Sequence, residues 1–307
     1  MQTNTSRWQA NEIDHNLIDL ALAEDLGLPY EDLTTLCLID PQTRSRARII
    51  SKHAGSIVVS GLSIVEALLY QLNAALAAVS GQKISACDIE FFYEDGAEVP
   101  PGAELLRLSG QTQTLLMAER TLLNFLQRMS AIATNTAAYV QKVKHTQAKI
   151  LDTRKTTPGW RHLEKYAVRC GGGVNHRMGL YDALMVKDTH VDALGGMQQV
   201  LAKLPDRELH SLPVIIEVRD LEELAVILNS GLQKTSRVLL DNMSVELMRE
   251  CVARCHNKIE TEASGSMSLE NVAAVAATGV QFISIGKLTH SAGNVDLSMK
   301  CDIGYDA

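Results

Sequence analysis

The stretch LDTRKTTPGWRHLEKYAVRCGGGVNHRMGLYDALMVKDTH, Leu151 to His190, decides how the chain is read. It opens on a short apolar run that ends in Asp152-Thr153-Arg154-Lys155, and it closes on a second run, Ala183 to Val186, that ends in Lys187-Asp188. Between them lie a helix-forming segment, about 160 to 169, and the glycine run Gly171 to Gly173. Strand, helix and strand in this order argue for parallel pairing through a right-handed crossover. From Asp152 to His190 there are seven Arg or Lys and four Asp or Glu, a local net of +3 in a chain whose net is −7. A cationic island in an acidic protein points to a pocket for a small anion and away from a surface for a polyanion.

Downstream the same punctuation recurs. Apolar runs Val214 to Val218, Val238 to Leu240, Ile259 to Ala263 and Phe282 to Ile285 alternate with helical stretches near 192 to 204, 220 to 230, 244 to 256 and 268 to 278. With Lys149 to Leu151 and Ala183 to Val186 this makes six β/α units, fewer than the eight of a closed parallel barrel. The expectation is an open or distorted six-stranded barrel. Each run ends in polar residues: Glu217, Asp241-Asn242, Glu262-Ala263-Ser264-Gly265 and Ser284-Ile285-Gly286 join the two clusters already quoted. Side chains from distant strands then converge on one rim, where parallel α/β barrels carry their sites.

Upstream the texture is mixed. Asn11 can cap a helix with Ile13, Leu17, Leu20 and Ala21 on one face, stopped by Gly27 and Pro29. Strand-like Ala47 to Ile50, Ser56 to Val59, Ile89 to Tyr93 and Glu104 to Leu108 surround a helix over Ser60 to Val79, closed by Gly81. Ile57 to Val79 is apolar for 23 residues, but Gly61, Glu66, Gln71 and Asn73 interrupt it, so it reads as a buried strand and helix and not as a membrane span. A long helical pattern from about Thr112 to Lys144 divides the chain, and the alternating tail from Val295 to Ile303 reads as a strand returning to the first sheet. The domain expectation is therefore an N-terminal α/β sandwich, residues 1–113 with 291–307, and a barrel domain, 114–290. Acidic balance argues against nucleic acid as a partner. Six cysteines without a close-set framework, and no basic-then-apolar leader after Met1, suggest reduced thiols and a cytoplasmic protein.

A substrate suited to Arg154, Lys155, His176, Arg177 and Lys187 on one rim carries several negative charges, held by guanidinium forks. Glu217 and Asp241 face the same rim. Two carboxylates opposite phosphates imply Mg2+ between them, because a hard cation takes oxygen ligands from both sides. Ser264-Gly265 and Ser284 to Gly286 follow the last two strands, where main-chain N–H groups at helix N-termini can hold a terminal phosphate. A phosphorylated, Mg2+-bound donor meeting an anionic acceptor fits this set.

These residues also carry a family resemblance. TRKTTPG at 153–159, EKYAVRCGGGVNHRMGL at 164–180 and KDTH at 187–190 strongly resemble the quinolinate phosphoribosyltransferases, or carboxylating nicotinate-nucleotide pyrophosphorylases. EDLG at 24–27, DLTT at 32–35, AERTLLNFLQRMSAIAT at 118–134, LDNM at 240–243, EASG at 262–265 and ISIGKLTHS at 283–291 extend the likeness over nearly the whole chain. The resemblance implies an α/β sandwich with an open six-stranded barrel, working as a dimer or higher oligomer in NAD biosynthesis. Its reaction would join quinolinate to phosphoribosyl pyrophosphate, giving nicotinate mononucleotide, pyrophosphate and CO2, with Mg2+ and no organic cofactor. By motif position, Arg154, His176 and Arg177, with Lys187, would face the quinolinate carboxylates, and Arg120 would reach in from the partner subunit. Lys155, Lys187, Glu217 and Asp241 would act on the donor's ribose, pyrophosphate and Mg2+, and Ser264, Gly265, Ser284 and Gly286 would hold its 5′-phosphate.

Other features read more plainly. Arg161, Lys165 and Arg169 stand at helical spacing and suggest a solvated face. Cys251, Cys255 and His256 lack a second ligand pair, so a buried helix face outweighs a zinc site. His190 and His290 divide evenly between structural and supporting roles. Thr189, Ala131 and Lys287 depart from the family's usual Asn, Gly and small residue. Two other functions compete: a paralogue acting on another aromatic acid, of the molybdenum-transport-associated type, and a non-catalytic anion-binding module. The trio Arg154, His176 and Arg177 speaks against the first, since a monocarboxylate would leave buried cations unpaired. The carboxylates Glu217 and Asp241 speak against the second.

Overall fold

Residues 8–81, 84–205 and 212–303 are described in a computed structural model. Contacts divide the chain into two units, the first holding 1–135, 157–172 and 292–307, the second 136–156 and 173–291. The first seven residues and the last four lie outside the described ones, so the sequence-based strand is seen only as far as Ile303.

The first unit contains α1 (Glu12–Leu26), α2 (Leu33–Leu38), β1 (Arg44–Ser51), β2 (Ile57–Val58), α3 (Leu62–Ser80), β3 (Asp88–Phe91), β4 (Glu98–Val99), β5 (Glu104–Gln111) and most of α4 (Thr112–Val143). The second starts with the end of α4 and β6 (Lys149–Leu151), while α5 (Arg161–Cys170) belongs with the first. It continues through β7 (Leu184–Val186), α6 (Asp188–Leu194), α7 (Met197–Lys203), β8 (Val214–Val218), α8 (Leu221–Ser230), β9 (Arg237–Asp241), α9 (Val245–Cys255), β10 (Glu260–Ser264), α10 (Val272–Ala276), β11 (Phe282–Ser284) and α11 (Lys287–His290). The last strand, β12 (Leu297–Ile303), returns to the first unit.

In the first unit β12, β1, β5 and β3 form a four-stranded antiparallel sheet in that order. Alternation places it: Ser45, Ala47, Ile49 and Ser51 are buried along β1 while Arg44, Arg46 and Arg48 face outward. Ala47 pairs Cys301 and Ile49 pairs Met299, so the tail supplies one edge of this sheet. Helix α1 is capped as expected by Asn11, in a reciprocal box with Asp14. Its buried face, however, is Asp14, Ile18, Leu22 and Leu26, while Ile13 and Leu20 are 62% and 65% exposed. Asp14 explains the rotation: its carboxylate also meets His162 Nδ1 at 2.5 Å, and that anchor turns the helix away from the apolar row read from the sequence.

Helix α5 corrects a second expectation. Lys165 is fully buried, as are Leu163, Glu164 and Tyr166, so Lys165 does not belong to a solvated face. Glu164 accepts from Arg128 Nη2 and Thr157 Oγ1, both at 2.9 Å. Helix α3 has the length and composition to cross a membrane, and 39% of its most apolar window is buried. Its buried residues all lie between Leu62 and Leu72, but Tyr70 within that stretch is exposed, as is Val79 near the end, so the expectation of a buried helix holds for only part of its first half.

In the second unit six parallel strands run in the order β6, β11, β10, β9, β8, β7. The sheet is open, since β6 and β7 are its two edges. This is the α/β class read from the sequence. Val214, Ile216 and Val218 of β8, and Val238 and Leu240 of β9, are inaccessible to solvent, and the outer helices contribute Leu224, Ile227, Met248 and Val275 to the same core. Truncating a core position such as Leu240 to Ala costs about 2–5 kcal/mol. Cys251 and Cys255 are buried on α9, and all six cysteines are free thiols. The helical stretch near 192–204 is two helices, α6 and α7, because Gly195 and Gly196 take φ of 81° and 129° between them.

Candidate active site

A cavity of about 700 Å³ opens at the carboxyl ends of the six strands. Its wall repeats every second residue: Met185 on β7 and Lys187 just after it, Leu239 and Asp241 on β9, Glu262 and Ser264 on β10, Ser284 and Gly286 at β11, with Glu217 on β8. Period-two geometry sends the intervening aliphatic residues outward to the helices. Arg154, Lys155, His176 and Arg177 complete the wall from the loops that follow β6 and precede β7. Eleven of the twelve residues singled out from the sequence thus meet at one cavity. Arg120 stands elsewhere, exposed on α4 in the first unit.

Each position has a local cause. Asp152, fully buried at the end of β6, accepts from the His176 main-chain N–H at 2.8 Å and from Asn175 Nδ2 at 2.5 Å, fixing the loop that presents His176 and Arg177. Asp182 closes the same loop by accepting from the N–H groups of Met178 and Gly179, at 2.6 and 3.0 Å. The Lys155 carbonyl accepts from Thr289 Oγ1 at 2.8 Å, which ties that loop to α11. Lys187 is the N-cap of α6, and its main-chain N–H donates to His190 Nδ1 at 2.9 Å. His190 is therefore structural, whereas His290 lines the cavity itself.

The mouth near Asp241 has unusual backbone. Asn242, Gly265 and Ser266 all take positive φ, 51°, 97° and 47°. A Cβ on Gly265 would lie 2.1 Å from Asn242 Oδ1, so only glycine allows the β9 and β10 loops to approach this closely. Asn242 Nδ2 donates to Asp241 Oδ2 at 2.8 Å, orienting that carboxylate. The helix N-terminus expected directly after Ser264-Gly265 is absent there, because α10 begins at Val272; the turn through Ser266 occupies its place. After β11 the expectation holds, with Gly286 at the N-cap of the short α11.

Charges are segregated. The Arg177 guanidinium is pushed below its ordinary pKa, first by burial and then by the neighbouring Arg154 charge. Two guanidiniums that disfavour each other in a half-buried wall are a site for an anion. Glu217 is raised above the ordinary carboxylate range, by burial first and then by Asp241 and Asp188. Crowded carboxylates of this kind favour a cation. Among the described residues no three His, Cys, Asp or Glu converge as a complete metal cage, so a cation at Glu217 and Asp241 would need further oxygens from substrate or water.

Sequence reasoning left Glu262 without a role. It is fully buried, lines the cavity, and accepts from Ser284 Oγ at 2.5 Å and Arg237 Nη1 at 3.0 Å. His176 Nε2 lies 3.3 Å from its Oε1, a contact longer than an ordinary hydrogen bond. Burial pushes the Glu262 carboxyl up, but His176, Ser284 and Arg237 outweigh it and hold the group below its usual range. The signal was available: Glu262 stands two residues before Ser264, on the same face of β10.

An open parallel α/β barrel whose mouth is lined by paired guanidiniums and crowded carboxylates is the fold and site of a protein suited to anionic small molecules. Comparison with known proteins narrows the class. Models of the quinolinate phosphoribosyl transferase N-terminal and C-terminal domains match residues 32–130 and 132–300. The chain is 37% identical over 302 residues to a chloroplastic carboxylating nicotinate-nucleotide pyrophosphorylase of Oryza sativa subsp. japonica, covering 93% of this chain and 77% of that one. It is 36% identical over 291 residues to a probable carboxylating nicotinate-nucleotide pyrophosphorylase of Bacillus subtilis (strain 168), covering 95% and 94%. The solved nicotinate-nucleotide pyrophosphorylase of Francisella tularensis superposes with a TM-score of 0.84 at 34% identity, covering 98% and 99%. The chain belongs to the quinolinate phosphoribosyltransferase family.

Proposed function

We infer that the chain transfers a phosphoribosyl group from phosphoribosyl pyrophosphate to quinolinate, yielding nicotinate mononucleotide, pyrophosphate and CO2 for NAD biosynthesis. One observation carries this: a single cavity is lined by Arg154 and Arg177, close enough to disfavour each other's charge, and by Glu217 and Asp241 on adjacent strands. A planar dicarboxylate suits the two forks, and a polyphosphate with its cation suits the carboxylates. The names borne by the relatives support the same pair of substrates.

In this reading Arg154 and Arg177 grip the two acceptor carboxylates beside His176, and Lys187 marks the boundary between acceptor and donor. Lys155 neutralises charge on the departing pyrophosphate, while the Ser264-Gly265 and Ser284-to-Gly286 turns seat the 5′-phosphate. Glu217 and Asp241 suit Mg2+, since burial and the neighbouring Asp241 and Asp188 raise the Glu217 carboxyl, and a cation beside it would relieve that crowding. When bound, Mg2+ would offset charge on the leaving pyrophosphate. The ribose carbon becomes oxocarbenium-like as pyrophosphate leaves, so holding the ring nitrogen in line contributes most of the rate. Ribosylation makes the ring cationic, and the ring then takes up the electron pair released when the adjacent carboxylate departs as CO2. That electron sink makes an organic cofactor unnecessary. We further propose a cytoplasmic homodimer in which Arg120 of each protomer completes its partner's site.

The test is an assay with phosphoribosyl pyrophosphate and Mg2+, offering quinolinate or nicotinate as acceptor. CO2 release with quinolinate is the expected result; turnover of nicotinate alone refutes the assignment.

A further inference from the structure

His176 is held from several sides within the second unit. Its main-chain N–H is bound by Asp152, its Nδ1 accepts from the Arg177 main-chain N–H at 2.7 Å, and its Nε2 faces Glu262 at 3.3 Å. A main-chain N–H only donates, so Nδ1 must carry the lone pair and the ring proton must sit on Nε2, toward Glu262. Nδ1 is thereby committed to the Arg177 N–H, Nε2 is left facing the Glu262 carboxylate at a longer distance, and the side chain is only 7% exposed. The ring therefore serves the Arg177 backbone.

Glu262 suits that task. Arg237, the first residue of β9, lies over the Phe282 ring at 3.5 Å and binds Glu262 Oε2 from the amino-terminal side of the strands. A carboxylate close to an anionic acceptor would ordinarily repel it; here Arg237 supplies a counter-charge from behind, while Oε1 takes the Ser284 hydroxyl and faces His176. We propose that Glu262 is a positioning residue for the acceptor end: it holds His176 in the Nε2–H tautomer, and the tautomer in turn holds the Arg177 segment where its guanidinium meets the acceptor carboxylate. The proposal rests on the quinolinate reading for its substrate and on protein geometry alone for the tautomer.

Glu262→Gln separates positioning from bulk stability. An amide offers one oxygen, which Arg237 claims as the charged donor, so the NH2 turns toward His176 Nε2. The ring must then carry its proton on Nδ1, which opposes the Arg177 N–H. Two readouts follow: the ring 15N signals of His176, assigned by loss in His176→Asn, and the Michaelis constants of each substrate. The expected outcome is a switch to the Nδ1–H pattern, with KM for quinolinate raised about tenfold or more and KM for phosphoribosyl pyrophosphate within about twofold. The double variant Glu262→Gln/Arg237→Met removes the competing donor, so the amide oxygen returns to His176; it should restore the Nε2–H pattern and most of the quinolinate KM. It also carries the test if the single variant does not fold. A Glu262→Gln variant that keeps the wild-type tautomer and quinolinate KM and shows only a lower melting temperature overturns the proposal, as does a folded double variant with the Nδ1–H pattern. The NMR arm needs no substrate, so it stands apart from failure of wild-type protein to release CO2, which would count against the proposed reaction.

Discussion

Replacing Gly265 by Ala tests the tightest contact of the site. The new Cβ would lie 2.1 Å from Asn242 Oδ1, 2.5 Å from its Cγ and 3.0 Å from its main-chain nitrogen. Ordinary contact is about 3.5 Å, so Asn242 must retreat by about 1 Å or more. Its room is small, because Asn242 already sits at φ 51° and its N–H is bound to the Ser264 carbonyl at 3.0 Å. Holding Ala at φ near 97° adds about 1–2 kcal/mol of strain. The displacement passes to Asp241 through the 2.8 Å bond from Asn242 Nδ2. A misplacement of about 1 Å in a positioning group costs on the order of a hundredfold in rate. Calorimetry with phosphoribosyl pyrophosphate and Mg2+, and separately with quinolinate, should show the donor weakened by at least about tenfold and the acceptor little changed. Unchanged donor affinity, with a folded protein by circular dichroism, would refute the link from Gly265 through Asn242 to Asp241.

Three other expectations concern charge. Arg177→Lys keeps the charge and loses the fork, so quinolinate affinity should fall about tenfold or more while donor affinity holds; equal losses in calorimetry would misplace Arg177. Glu217 is raised in the folded protein, so its ionisation opposes folding: the stability it permits is full below the unfolded carboxylate value and declines as pH rises through the folded one. Without Mg2+, the melting temperature of Glu217→Gln should therefore gain on wild type as pH rises above the ordinary glutamate value of about 4.3, and a constant difference would contradict the shift. Arg120→Ala and Lys155→Ala should each be inactive, whereas refolding them together should restore about a quarter of wild-type activity, since half the dimers would be mixed and each would hold one intact site. No recovery would remove the shared-site dimer.

The six strands were legible because each is a short apolar run closed by polar residues, and parallel pairing needs no partner-specific signal beyond that rhythm. The cavity residues followed from the same rule, as strand ends share a rim. What escaped lies inside elements. Glu262 sits mid-strand, where a carboxylate is buried only because Arg237, Ser284 and His176 all reach it, and three-way compensation has no linear signature. The rotation of α1 turned on Asp14 and His162, residues 148 positions apart. Lys165 reads as solvent-facing by type, yet α5 is buried on nearly every side. The late start of α10 depends on Ser266 adopting φ 47°, which no residue preference announces for serine.

Because every second residue of a strand faces the cavity, the chain tolerates change of two kinds very unequally. A point mutation at a wall position exchanges one side chain and leaves its neighbours in place. Loss of a single codon inside β8 would instead carry Glu217 toward the helices and turn an aliphatic neighbour into the mouth, with the same reversal available in β9 for Asp241 and Leu240. Length variation is therefore confined to the connections, and divergence of specificity in this architecture proceeds by swapping side chains at strand ends while the strands keep their frame.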